Sequence, residues 1–112
     1  MAAHYDLNIT KGNSFNVRLV AVDPNGTAFD LTGWSLRGYA KLKYSSEDVL
    51  IDLSPTKALP YSEGFIDVSL PATFTKNLPI TEGVFDIEMY NSQGFVDKLI
   101  KGYVRIFPEV TN

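Results

Sequence analysis

From Trp34 to Tyr44 the chain alternates without a break. Trp34, Leu36, Gly38, Ala40, Leu42 and Tyr44 fall on one side, and Ser35, Arg37, Tyr39, Lys41 and Lys43 on the other. A period of two marks a half-buried β-strand, because successive side chains point to opposite faces of a sheet. The same period recurs before and after this stretch. Tyr5, Leu7 and Ile9 alternate with Asp6, Asn8 and Thr10, and after Lys11-Gly12-Asn13 the pattern resumes at Phe15, Val17, Leu19 and Ala21. Strands are therefore predicted near 5–10 and 14–22. Further strands are expected at Val49 to Leu53, pairing back on the long strand as a hairpin, and at Phe65 to Leu70, Val84 to Tyr90 and Phe95 to Phe107. About seven short strands separated by turn signals predict an all-β protein, an antiparallel β-sandwich of a single domain spanning 1–112 with short terminal arms.

The punctuation between strands is turn chemistry. Asp23-Pro24-Asn25-Gly26 places proline where φ is preset near −65° and glycine where φ can turn positive, and Asn91-Ser92-Gln93-Gly94 closes the last hairpin in a similar way. Ser54 to Gly64 contains Pro55 and Pro60, has no sustained period and reads as a surface loop. The segment Pro71 to Pro79 carries the one signal for a short helical turn. Gly102, inside the long final strand, marks a bulge, with close approach of another backbone as the alternative. Trp34 heads its strand much as the core tryptophan does in immunoglobulin-like sandwiches, and is expected to pack in the core.

Composition narrows the chemistry. At 112 residues and 45% hydrophobic the chain can close one core, and it has no cysteine for a disulfide, a thiolate zinc site or a thiol nucleophile. The net charge is −3 and the ten Lys and Arg residues are dispersed, which argues against nucleic acid as a partner. No apolar run approaches the roughly 18 residues of a membrane span, and Met1-Ala2-Ala3-His4 lacks the features of a signal peptide, so an untargeted intracellular product is expected.

No catalytic constellation emerges. His4 is the one histidine and is expected in a solvated terminal arm, without a Ser or Asp arrangement to make it a base. Asp23, Asn25, Asp30, Glu47 and Asp48 could offer oxygen ligands to calcium, but their spacing does not match an EF-hand and turns favour these residues for backbone reasons. Asp52, Asp67, Asp86 and Glu88 are spread over predicted strands and read as the wet face of a sheet. Neither a metal nor a cofactor is expected, and the chain reads as a non-enzyme.

What the pattern offers instead is a contact surface. One face of the final strand carries Phe95, Asp97, Leu99, Lys101, Tyr103, Arg105 and Phe107, mixing aromatics with charges, and such side chains tolerate both water and burial. Phe95, Leu99, Tyr103, Arg105 and Phe107, with Tyr61 from the loop, are the predicted partner-binding residues.

Lys11-Gly12 followed by Phe15, then Asp23-Pro24-Asn25-Gly26 and Asp30-Leu31-Thr32-Gly33-Trp34, resembles the opening of small virion structural proteins of tailed bacteriophages. Leu70-Pro71-Ala72 with Thr75 and Leu78, Phe85-Asp86-Ile87-Glu88, the stretch Gly94 to Gly102 and the ending Pro108-Glu109-Val110-Thr111 look like that group in the same order. The cadence is also similar to the immunoglobulin-like N-terminal domain of phage baseplate upper proteins, although Val84 stands where such proteins often place an aromatic. The resemblance implies a non-enzymatic subunit, made in the host cytoplasm and assembled in several copies with other virion proteins at the tail or baseplate. A capsid decoration protein is the nearest alternative. From other classes come a glycan-binding module using Tyr61, Phe65 or Trp34 and, last, a small hydrolase.

Overall fold

The structure, a computed structural model, describes residues 3–108. Met1-Ala2 and the ending from Glu109 lie outside the described residues. Eight strands are found: β1 (Ala3–Thr10), β2 (Phe15–Val20), β3 (Ser35–Lys41), β4 (Ile51–Asp52), β5 (Thr56–Lys57), β6 (Phe65–Leu70), β7 (Glu82–Tyr90) and β8 (Val96–Phe107). They form a five-stranded sheet in the order β1-β8-β7-β3-β4 and a three-stranded sheet in the order β2-β6-β5. The protein is all-β, and the expected strands are present within a few residues of their predicted limits. The eighth, β5, pairs with β6 inside what the sequence presents as a loop.

One pairing departs from the antiparallel expectation: β1 runs parallel to β8, from Ala3 opposite Ile100 to Thr10 opposite Phe107. Alternation specifies which face of a strand is buried, not which neighbour it takes. β1 lies in the large sheet and β2 in the small one, so Lys11–Ser14 crosses between sheets instead of closing a hairpin. His4 consequently stands within β1 and not in a terminal arm.

Both sheets turn their apolar faces to one core. Leu7, Ile9, Phe85, Ile87, Ile100 and Val104 from the large sheet meet Leu19, Ile66 and Val68 from the small one, all at 1% exposure or less. Large and small residues interleave: Phe85 sits between Ala40 and Gly102 on its neighbouring strands, and Ile87 between Gly38 and Ile100. The Tyr5 hydroxyl donates to the Val20 carbonyl at 3.4 Å, tying β1 to β2 across the sheets.

The two ends of the molecule are built differently. At the tryptophan end, Ser35 lies opposite Tyr90, and the Leu31 amide donates to the Tyr61 carbonyl at 2.9 Å. Asp23 and Asn91 there organise the same kind of loop twice: each carboxylate or amide oxygen accepts from the amides two and four residues on, at 2.9–3.1 Å, and the glycine three residues on has φ of +83° (Gly26) or +89° (Gly94). The shared spacing of Asp or Asn, two variable residues and Gly is what a left-handed fourth position requires. A 3-10 turn at Tyr61–Glu63 adds a second helical turn to the one predicted.

At the opposite end, α1 (Ala72–Thr75) occupies the predicted position. Thr75 is fully buried, and its hydroxyl donates to the Asn13 carbonyl at 2.8 Å while accepting from the Gly12 amide at 3.1 Å. That side chain locks α1 to the crossover between β1 and β2. Thr75→Val is isosteric and strands both backbone groups, so it is expected to cost about 2 kcal/mol in chemical denaturation.

Trp34 is half-buried, packing against the rim of the core at the tryptophan end and not between the sheets. The inward positions deeper in β3 are Gly38 and Ala40, and the space they leave is taken by Ile87 and Phe85 opposite them on β7. Trp34→Ala is therefore expected to cost about 2 kcal/mol, below the full-core value, as read from urea unfolding.

Candidate functional site

The outer face of the five-stranded sheet sets charged and aromatic side chains in register. Across it run the rungs Arg37–Glu88–Lys98, Tyr39–Asp86–Lys101–His4, Lys41–Val84–Tyr103–Asp6 and Glu82–Arg105–Asn8. Acids occupy the central strand β7 and cations flank them. Lys98 reaches Asp86 at 2.9 Å and Glu88 at 3.2 Å, Glu88 also pairs with Arg37, and Arg105 stands 3.3 Å from Glu82. Opposite charges on adjacent strands stabilise a sheet modestly when exposed.

Protonation follows from these contacts. Partial burial pushes Glu88 up, but hydrogen bonds from Arg37 and Lys98 outweigh it and hold the carboxyl below its ordinary value. Lys98 is raised by its hydrogen bond to Asp86, against a desolvation cost, and further by Glu88. On the small sheet the Arg18 guanidinium grips Asp67 through two hydrogen bonds, at 2.7 and 3.0 Å, and lowers it as well. Carboxyls with depressed folded values stabilise the fold while ionised. That contribution is complete above their unfolded values near 4 and vanishes as pH falls through the lower folded values. The melting temperature is expected to be level from about pH 7 to 5 and to drop below about pH 4, with a shallower drop in Asp67→Asn when followed by circular dichroism.

Over this face folds the β3–β4 connection. The alternation carries on to Tyr44, yet β3 ends at Lys41, and Leu42 and Tyr44 are each 55% exposed. The Tyr44 hydroxyl donates to the Phe85 carbonyl at 3.3 Å, so the ring lies on the outer side of the sheet, and desolvation there raises its phenol. Beneath it opens a cleft of about 240 Å³ lined by Tyr39, Lys41, Tyr44, Asp86, Glu88 and Lys98. Sequence reasoning missed Tyr39 and Tyr44 as site residues because the uninterrupted period assigned Tyr44 to the core. The signal available was the Ser45-Ser46 turn immediately after it.

The predicted contact residues separate. Tyr103, Arg105 and Phe107 do share the outer face of β8, with Tyr103 52% and Phe107 45% exposed. Leu99 does not join them, because it is 1% exposed and belongs to the core. The cause is a β-bulge beside Ile87/Glu88: Ile87 pairs with Ile100 and Glu88 with Lys98, leaving Leu99 as the extra residue. Leu99 and Ile100 both point inward and the two faces exchange there. The bulge thus lies at Leu99, and Gly102 fulfils the other expectation, close approach by a neighbouring backbone. Phe95 sits at the tryptophan end beside the β7–β8 turn. Tyr61 is half-buried in the 3-10 turn, its ring covered by the Lys57 ammonium at 4.6 Å, and Arg18 covers Phe65 in the same way at 4.9 Å.

Exposed large apolar side chains fall into three places. Tyr39, Tyr44 and Tyr103 lie on the outer face. Leu59, Phe95 and Val96 are at the tryptophan end, and Leu42, Val49, Phe74, Ile80 and Phe107 are at the α1 end. Two of the acids considered for calcium are occupied in turns: Asp23 caps its own loop, and Asp30, lowered by hydrogen bonding from Thr32, accepts from the Thr32 amide at 3.0 Å. His4 lies 3.2 Å from Asp6 and packs at a steep angle against the Tyr103 ring. No protein-family model matches the chain, and no curated protein does.

Proposed function

We propose that this chain is a non-enzymatic structural subunit of a tailed-phage virion, a tail or baseplate adaptor that binds other virion proteins. The observation carrying the reading is the outer face of the large sheet, where Tyr44, Tyr103 and Phe107 are exposed beside the cross-strand ion pairs of Arg37, Glu88, Lys98, Asp86, Arg105 and Glu82. Such a surface offers apolar and aromatic area in which much of the charge is already paired, which lowers the cost of desolvating it. The resemblance of the turn and strand motifs to small phage virion proteins supplies the assembly in which this face would work.

The strand order supports an immunoglobulin-like sandwich. β2-β6-β5 corresponds to strands B, E and D of such domains, and β8-β7-β3-β4 to G, F, C and C′, with β1 beside G. An adaptor domain of this kind needs rigid sheets and a presented face, and no moving parts.

Mass spectrometry of purified particles tests the proposal. The chain is expected among the virion proteins, and Tyr103→Asp or Phe107→Asp is expected to reduce its incorporation while leaving the isolated protein folded. Absence from particles removes the idea. Density at icosahedral capsid positions, in place of the tail, moves the assignment to capsid decoration.

One observation favours glycan binding as the second reading: the cleft beneath Tyr44 combines two phenol rings with carboxylate and ammonium groups. Glycan-array binding lost in Tyr44→Ala supports it, and binding to no glycan excludes it.

A further inference from the structure

Apart from Lys101 and Asp52 on a central rung, the charges without an ion pair among the described residues are sorted between the two ends of the strands. At the tryptophan end stand Asp23, Asp30, Glu63 and Asp97, none of them in an ion pair among the described residues. Lys57, also at that end, is engaged by the Leu31 carbonyl at 3.3 Å and the Tyr61 ring. At the α1 end stand Lys11, Lys41, Lys43 and Lys76, also without ion pairs among the described residues, against Glu47 and Asp48.

Each end also exposes large apolar side chains. Leu59, Phe95 and Val96 are 51–75% exposed at the acidic end, and Leu42, Phe74, Ile80 and Phe107 are 39–61% exposed at the basic end. Exposed apolar surface among polar groups suits an interface, and opposite charge at the two ends selects the partner and its orientation. The complement of each end is present on the other end of the same chain.

We infer that copies of this chain stack head to tail, the acidic end of one seated on the basic end of the next. A joint between two different surfaces is heterologous, so it repeats into a ring or a row and does not stop at two chains. It extends the multi-copy role proposed above by naming the surfaces, and it stands or falls in solution, independently of whether particles contain the protein.

Analytical ultracentrifugation of the purified chain at low ionic strength tests it. The average mass is expected to rise with concentration beyond two chains, and added salt is expected to weaken association roughly tenfold by screening the exposed charges. Phe95→Asp disables the acidic end and Ile80→Asp the basic end. Both sites are exposed, so each variant remains folded by circular dichroism, and each alone is expected to be monomeric. An equimolar mixture of the two is expected to give a species of two chains and no larger, since one intact end of each kind remains. A monomer at millimolar wild-type concentration overturns the inference, as does a wild-type dimer that grows no further or a mixture that stays monomeric.

Discussion

Gly102→Ala is expected to destabilise this protein by about 3 kcal/mol, lowering its melting temperature by roughly 10–20 °C. Gly102 faces inward on β8, opposite Tyr5 of β1, and a Cβ placed there would overlap the Tyr5 carbonyl oxygen outright. The obstacle is backbone, which cannot rotate aside as a side chain can. β1 would have to leave its place beside β8, uncovering Leu7 and Ile9, so faster amide exchange in β1 should accompany the loss. Gly94→Ala is the control: its Cβ would meet open space, and only the positive φ of +89° is strained, for about 1 kcal/mol. Phe85 Cε1 lies 3.2 Å from the same Cβ position, but shrinking it in Phe85→Leu is expected to give no rescue, because the overlap is with β1. A cost for Gly102→Ala below about 1 kcal/mol would show that the β1–β8 pair yields easily.

Phe85→Ala is expected to cost about 3–5 kcal/mol, seen as a lower urea midpoint with the slope of the transition unchanged. Phe85 is fully buried on β7, and the small neighbours Ala40 and Gly102 leave room on either side for its ring. Those neighbours cannot expand into the space the ring vacates. The cavity would persist and add its own cost to the lost burial. Phe107→Ala, on the outer face at the end of β8, is expected to change stability by no more than about 0.5 kcal/mol, and a large effect there would mean that the ring is core and not contact surface.

Much of the fold was legible because its strands are half-buried and therefore alternate. The strands at 5–10, 14–22, 65–70 and 84–90, the single helical turn before Pro79, and the two loops closed by Gly26 and Gly94 could all be read from local pattern. The errors share one origin. Extending a period of two misplaces Tyr44 and Leu99, because each lies at or just beyond an interruption: the end of β3 at Lys41, and the bulge opposite Ile87/Glu88. A bulge inserts one residue and exchanges the faces, and its one local trace in Val96 to Ile106 is the adjacent apolar pair Leu99-Ile100 between Lys98 and Lys101. The candidate site suffered accordingly. Tyr103, Arg105 and Phe107 were legible as an exposed face, whereas the cleft under Tyr44 was not, because it is assembled from three strands and a loop distant in sequence.

The sequence by itself determined that this protein is all-β, where its chain reverses, and which side of most strands faces the core, since these depend on alternation and on residues suited to particular φ values. Tertiary structure alone decided which strands are neighbours: that β1 lies parallel to β8, that the crossover at Gly12 and Asn13 is held by Thr75, and that Tyr39, Tyr44, Asp86 and Lys98 meet around one cleft. Pairing partners are chosen by the fit of whole faces across the core, as Phe85 fits between Ala40 and Gly102. That fit is a property of residues brought together by folding and is encoded in no single segment.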